Sequence, residues 1–455
     1  MIDLLTAILL AVGLALAAVL GYGIVTAIIV VTGLSSFFLF IRRPELGLIL
    51  LVAEIVLGGT GHYIEFPLGI SLRQAIFFAA IAGWIFRKVT SPQAKLILPP
   101  KEFIIAIAIL FTCILCAALN GSLRGNKGIY EEAITWAYLV LAFVFSDVIN
   151  TPQKMNRLVK WFLMVAVVLA VLQILLLIGF MMGVLPVAPI ASTWPRTNIR
   201  ISLEAGGFYR IFFNGSIFYQ IAISVFLSLL VATKSIPRKT ILICSGLCLT
   251  ALILGLTRGM WVGLAISLFF LLVMVSFKKK IKVTKLFVIA SALSILALIL
   301  WQGSSGVLAL LDKAKGFTDV QNDMSISFKI EETKQLLNAI LENFVLGTGF
   351  GIGDYGGVLA ERIYFHNSFL QFWLKTGFFG IMILFAFLWV IINQGYRVIQ
   401  TTRDNLYRSL VLGFWVGLIG TLFTTMLNPF IGTPMGLTYL SLFIAMLRVY
   451  GKGST

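Results

Sequence analysis

Apolar runs long enough to cross a bilayer recur from one end of this chain to the other. The opening stretch, MIDLLTAILLAVGLALAAVLGYGIVTAIIVVTGLSSFFLFIRR, reads as two spans turning at GYG, because a helix needs about 20 apolar residues to traverse the hydrocarbon core. It lacks the basic leader of a signal peptide, and its apolar run is too long for one. Since 60% of the 455 residues are hydrophobic and 12% charged, a string of soluble domains is excluded. The alternating strands of an outer-membrane barrel are absent, and helices satisfy their own backbone groups in lipid. The expected fold is an all-α polytopic membrane protein with about 12 to 14 transmembrane helices.

The candidate spans are 4–20, 23–41, 46–58, 70–87, 102–119, 131–149, 158–182, 212–233, 239–256, 259–276, 284–301, 367–392, 407–427 and 433–448. The third is short enough to be re-entrant. Charge sets the orientation, because Lys and Arg accumulate in short cytoplasmic loops. With the N-terminus inside, the loops RRP, RKVTSPQAKLILPPK, TPQKMNRLVK, TKSIPRK, FKKKIKVTK and QGYRVIQTTRDNLYR and the tail RVYGKGST hold most of the 35 basic residues. Both termini are therefore expected in the cytoplasm. The net charge of +17 is then a topology signal with attraction to membrane lipid, not a nucleic-acid footprint.

Two outer segments are too long to be turns, about 183–211 and about 302–365. The second contains SISFKIEETKQLLNAILENF, in which Leu336, Leu337, Ile340, Leu341 and Phe344 recur at helical spacing, so this helix is expected to lie on the membrane or cap the bundle. The chain divides accordingly into an N-terminal bundle (1–183), helices carrying outer arginines (184–301), an extracytoplasmic loop (302–365) and C-terminal helices (366–455).

Almost every ionisable residue lies near a span end, which weighs against an ion path. Glu54 and Lys375 are partial exceptions, expected to snorkel or to pair. Cys113, Cys116, Cys244 and Cys248 fall within spans as small apolar filler. GIGDYG fits G-x-G-x-x-G, but no strand precedes it, so the glycines shape a tight loop instead of a dinucleotide site. Asp312, Asp319 and Asp323 are scattered acids of a solvated loop, and no metal site is expected.

What remains is a ring of cations at one depth. Arg196, Arg200 and Arg210 lie in the first outer segment, Arg258 at a hairpin tip, and Arg362 and His366 come from the second segment. Lone interfacial arginines anchor to lipid phosphate. Arg258, wedged between two spans in GLTRGMWVGL, needs a protein or ligand partner instead. Arginine forks suit the oxygens of a diphosphate, and an imidazole beside them suits proton abstraction. His366 is also in position to serve as a structural helix cap. His62, in GGTGHYIEF with Glu65 to orient it, is the rival base.

Four stretches in order, FYRIFFNGSIFYQIAIS, LGLTRGMWVGLAISLF, ENFVLGTGFG and HNSFLQFWLKTGFFGIMILF, resemble the O-antigen ligase and O-antigen polymerase superfamily of bacterial membrane glycosyltransferases. The resemblance covers roughly 206–447. It implies a GT-C-like bundle with a large extracytoplasmic loop, placed in the bacterial inner membrane and serving cell-envelope polysaccharide or lipopolysaccharide biosynthesis. It further implies a metal-independent, cofactor-free enzyme that moves a glycan from undecaprenyl diphosphate to an acceptor hydroxyl, of a glycan or of lipid A core, at the outer face. Arg210 and Arg258 would grip the diphosphate and His366 would activate the acceptor, with Arg196, Arg200, Arg362 and Asn367 as further substrate contacts. Three positions depart from the pattern: Thr257 where serine is common, Lys329 where arginine is frequent, and Lys375 where an acid is often found. A flippase or solute carrier for a lipid-linked glycan or small anion is the alternative, and it predicts broken polar spans at mid-depth.

Overall fold

The computed structural model describes residues 24–58, 71–91, 95–185, 199–204, 208–232, 237–275, 324–352 and 365–451, with isolated helical positions between 281 and 292. Continuous hydrophobicity becomes helix, and side-chain caps or a first-turn proline mark several of the starts. The N-terminal part runs α1 (Ile24–Arg42), α2 (Pro44–Leu57), α3 (Leu72–Thr90), α4 (Lys101–Leu123), α5 (Ile129–Trp136), α6 (Leu141–Val148) and α7 (Pro152–Met181). Pro44 sits in the first turn of α2, Ser71 and Gln74 form a capping box on α3, and Thr151 caps α7 ahead of Pro152. A single 3-10 stretch, Ala137–Val140, joins α5 to α6, so the two together make one span.

The C-terminal part comprises α8 (Ile217–Ala232), α9 (Arg238–Leu254), α10 (Arg258–Met274), α11 (Met324–Glu342), α12 (Ser368–Thr401), α13 (Asn405–Thr425) and α14 (Pro434–Gly451). Among the described residues, six helical stretches are long and apolar enough to cross a membrane, and Ile29–Arg42 and Arg258–Met274 are shorter apolar helices. The protein is thus an all-α polytopic membrane protein, and a single two-stranded ribbon departs from helix among the described elements. The expected span 4–20 and most of 284–301 lie outside the described residues.

The ribbon corrects one boundary. Residues 212 and 213, read as the start of a span, belong to β2 (Phe208–Phe213), which pairs antiparallel with β1 (Ile199–Glu204). Helix starts only at Ile217. FYRIFF is rich in aromatic and β-branched residues, and an unbroken apolar run does not distinguish strand from the first turns of a helix.

Helix α13 is the axis of the C-terminal half, buried on nearly every side against α8 and α10. Small residues permit the approach. A Cβ on Gly420 would stand 2.2 Å from the Gly263 carbonyl oxygen, so neither glycine has room for a side chain. This crossing brings the N-terminal end of α10 beside the C-terminal end of α13.

The loop helix α11 caps the bundle, with a narrower buried face than its leucines suggest. Leu336 and Ile340 are buried with Phe365 and Leu374, whereas Leu337, Leu341 and Phe344 are exposed, as are Leu119 and Leu123 of α4. The buried stripe continues one turn back to Glu332, which is 1% exposed. Both mid-span charges pair instead of snorkelling: Arg73 Nε donates to Glu54 Oε1 and Oε2 at 3.2 and 2.9 Å, and Lys375 lies 3.8 Å from Glu132.

Candidate functional site

Three residues separate α9 from α10, and Arg258 opens α10 at that turn, so it does mark a hairpin tip. The turn is tight enough to put Leu256, 2% exposed, at φ +44, a left-handed conformation that non-glycine residues seldom adopt. Arg210 reaches over the same turn from β2. Its Nε donates to the Gly255 carbonyl at 2.8 Å and its Nη2 to the Thr257 hydroxyl at 3.2 Å, while Thr257 itself donates to Gly255 at 3.0 Å. The Arg210 guanidinium also lies 5.8 Å from the Phe212 ring centroid, within cation–π range. Thr257 thus contributes a hydroxyl that a serine would also supply. Two arginines forty-eight positions apart in sequence share one turn, which residue type and depth alone had only suggested.

That turn is held from within the membrane bundle by Gln173 of α7. Its amide donates to the carbonyls of Ala251 and Ile211 at 2.8 and 3.0 Å and accepts from the Tyr219 hydroxyl at 3.0 Å. One buried side chain therefore ties α7, α8, α9 and β2 together at the depth of Arg210.

His366 stands two residues before α12. Its ring Nδ1 is 3.0 Å from Glu332 Oε2, and the same oxygen accepts its backbone N–H at 2.9 Å. Because a carboxylate only accepts, the pairing favours a proton on Nδ1 and leaves Nε2 as a lone-pair acceptor. Phe328, one helical turn before Glu332, meets the imidazole edge-on at 5.8 Å. The imidazole remains a third exposed while the carboxylate is buried. The helix cap is Asn367 rather than His366: its Oδ1 accepts from the N–H groups of Phe369 and Leu370, both at 3.1 Å.

Beneath the histidine the span is broken. Gly377, at φ +71 and ψ −172, splits α12 into a short segment and a long one. The carbonyls released by the break are taken up by the glycine-rich residues after α11: Thr348 N–H donates to Leu374 and Gly349 N–H to Lys375, at 2.8 and 3.0 Å. Phe378 N–H donates back to Phe344 at 2.8 Å. Gly377 carries this approach, since a Cβ there would lie 2.1 Å from the Val345 oxygen. The loop is clamped on its other side by α4 and the following turn, where Asn126 donates to Thr348 and Phe350 at 3.1 and 2.9 Å.

A buried polar network links the clamp to the histidine. Lys375, fully buried, donates to the Gly351 carbonyl, and Glu132 accepts from Gly351 N–H at 2.8 Å and from Gln371 at 3.2 Å. Gln371 in turn accepts the N–H of Phe365, the residue before His366, at 3.1 Å.

The arginine turn and the histidine are joined through the end of α13. A Cβ on Gly259 would touch Leu427 and Asn428, and Thr424 donates to the Gly259 carbonyl at 3.3 Å. Lys329, one turn before Glu332 on α11, donates to the Leu427 carbonyl at 2.9 Å. Arg210, Arg258 and His366 are therefore gathered at one end of the bundle. Arg200 is placed in β1 opposite Phe212. Arg196, Arg362, His62, Glu65 and the three loop aspartates lie outside the described residues.

Glu332, Gln371 and Glu132 were not among the residues singled out from sequence, and Thr257 was noted there only as a departure from the common serine. For Glu332 a signal existed, because Glu332, Leu336 and Ile340 fall at i, i+4 and i+8 on one helix face. An acid on an apolar stripe calls for a buried partner.

Fold and site together define a multi-pass membrane protein with a histidine–carboxylate pair and two arginines at one end. Residues 243–385 match the family model described as O-antigen ligase. The matched stretch contains Arg258, Glu332, His366, Lys375 and Gly377, and it bears out the resemblance to the O-antigen ligase and polymerase superfamily. No curated protein matches the chain.

Proposed function

We propose that the protein is an inverting glycosyltransferase of the O-antigen ligase or polymerase type. In this reading it moves a glycan from undecaprenyl diphosphate to an acceptor hydroxyl at the outer face of the cytoplasmic membrane. The observation that carries it is the His366–Glu332 pair, with Nδ1 on a buried carboxylate at the bundle end that also holds Arg210 and Arg258.

Nε2 of His366 takes the proton from the acceptor hydroxyl, whose oxygen attacks the anomeric carbon from the face opposite the diphosphate. The carbon–oxygen bond to the diphosphate breaks, and its electron pair leaves with the phosphate oxygen. Arg210 and Arg258 meet that growing negative charge, an interaction stronger in the transition state than before it. Glu332 orients the imidazole and stabilises the imidazolium, as an acid behind a catalytic histidine does in general. Arg362, Arg200, Arg196 and Asn367 remain proposed substrate contacts, although Asn367 commits its side-chain oxygen to the helix cap.

The carrier alternative gains a broken span from the structure, but the carbonyls of Leu374 and Lys375 at that break bond to the protein's own loop. That is the opposite of backbone opened to an ion.

The test is transfer by purified protein in vesicles holding a labelled undecaprenyl-diphosphate glycan and its acceptor, without nucleotide or proton gradient. His366→Ala and Arg258→Ala are expected to enter the membrane normally and leave the donor unconsumed. Full transfer by either refutes the assignment, and activity that depends on His62 while surviving His366→Ala makes the rival base the correct one.

A further inference from the structure

At the other end of the bundle the structure holds a polar cavity of about 730 Å³. Its walls are helix ends. Arg42 comes from the end of α1, Arg43 from the junction with α2, Arg87 and Lys88 from the end of α3, Lys154 and Arg157 from the start of α7, and Lys95 from the segment before α4. Against these seven cations stand two carboxylates, Glu45 and Asp147, an excess of five positive charges.

Both carboxylates are already engaged. Asp147 binds Lys88 at 2.8 Å, the Trp84 indole at 2.9 Å and the Ile97 N–H at 2.9 Å. Glu45 holds Lys154 at 2.9 Å and Arg157 at 3.5 Å. Among the described residues, no carboxylate pairs with Arg42, Arg43 or Arg87. Two helices, α2 and α7, begin at this cavity and three, α1, α3 and α6, end at it, so the helix dipoles add no net positive field and the charge rests on the side chains. Loop lysines and arginines that only set topology have no need of a shared concave wall.

Depth indicates the source of the anion. Lys154 and Gln173 lie on one helix, and Gln173 marks the level of the arginine turn. Nineteen residues at 1.5 Å each separate them by about 28 Å, close to the thickness of the hydrocarbon core. The cavity thus lies at the opposite headgroup plane. Beside it, Leu46 of the lining and Phe86 and Val89 near the end of α3 are exposed apolar side chains, fitted to acyl chains.

We propose that this cavity is a binding site for a phosphate group, supplied by the headgroup of an anionic glycerophospholipid in the leaflet on that side. It is separate from the transferase site and takes no part in the proposed chemistry.

The full-length protein, purified in zwitterionic detergent, is titrated with short-chain phosphatidylglycerol, short-chain phosphatidylcholine and inorganic phosphate. Bound lipid is counted by native mass spectrometry and thermal stability is followed in parallel. Phosphatidylglycerol is expected to bind the wild type and raise its melting temperature, with phosphatidylcholine and phosphate much weaker. Arg42→Gln/Arg87→Gln is expected to weaken that binding roughly 25-fold, each surface cation being worth about fivefold. The equal-charge control Lys239→Gln/Arg403→Gln, exposed basic residues outside the cavity, is expected to bind as the wild type does. Equal binding of the two phospholipids by wild type, or equal loss in the control pair, overturns the site. Inorganic phosphate matching phosphatidylglycerol overturns the lipid source. Because the wild-type titration stands alone, a misfolded cavity variant does not shield the proposal.

Discussion

The arginine turn and the histidine platform do neighbouring jobs but are built in contrasting ways. The turn's own backbone is local, α9, three residues and α10, with Arg210 laid over it from the strand preceding α8 and one distant brace, Gln173 of α7. The platform is assembled from afar, since His366 rests on Glu332, and the segment beneath it rests on a loop clamped by α4 and α5. A locally built element tolerates distant lesions, whereas an assembled one fails wherever a contributor is lost. The contrast predicts which variants abolish transfer by chemistry and which by misplacing an intact side chain.

The largest expected effect is on the platform's reacting group. His366→Ala should lower the transfer rate about 10² to 10⁴-fold with unchanged membrane yield, measured by donor consumption in vesicles. Arg258→Ala should cost about 10² to 10³-fold, in rate rather than in donor binding if the charge it meets develops in the transition state. A loss confined to donor binding would reassign it to anchoring the ground state.

Lys375→Met separates position from chemistry. Leaving Glu132 buried without its cation should destabilise the fold by about 3 to 5 kcal/mol, and Lys375→Met/Glu132→Gln should recover most of that in a thermal or denaturant assay. Lack of recovery would mean that the pair does not act as a unit. The smallest effect is expected at the turn: Thr257→Ser should transfer like the wild type, and Thr257→Val should lose about fivefold, one hydrogen bond's worth of about 1 kcal/mol.

The fold was legible because hydropathy and caps agree over long stretches, and Arg258 was legible because two crossings leave no spare residues between α9 and α10. The start of α8 was misread because Phe212 and Phe213 are as apolar in a strand as in a span. Glu332 stayed hidden because it stands beside Glu331 among lysines in SFKIEETKQLL, and adjacent charges read alike as a solvated face. The partner of Lys375 was illegible for a different reason. Glu132 and Lys375 stand 243 positions apart in the chain, and no local period carries information over that distance.

The break at Gly377 has a consequence for how lesions will read out. The nine residues from Ser368 to Thr376 are held in place by backbone docking of 344–349 and not by continuity with the long segment below. A bulky replacement at Gly347, whose Cβ would press on the Gly377 nitrogen at 2.5 Å, should leave every crossing inserted while tilting the perch on which the imidazole stands. Such a protein would pass for a catalytic mutant although the altered atom never meets a sugar.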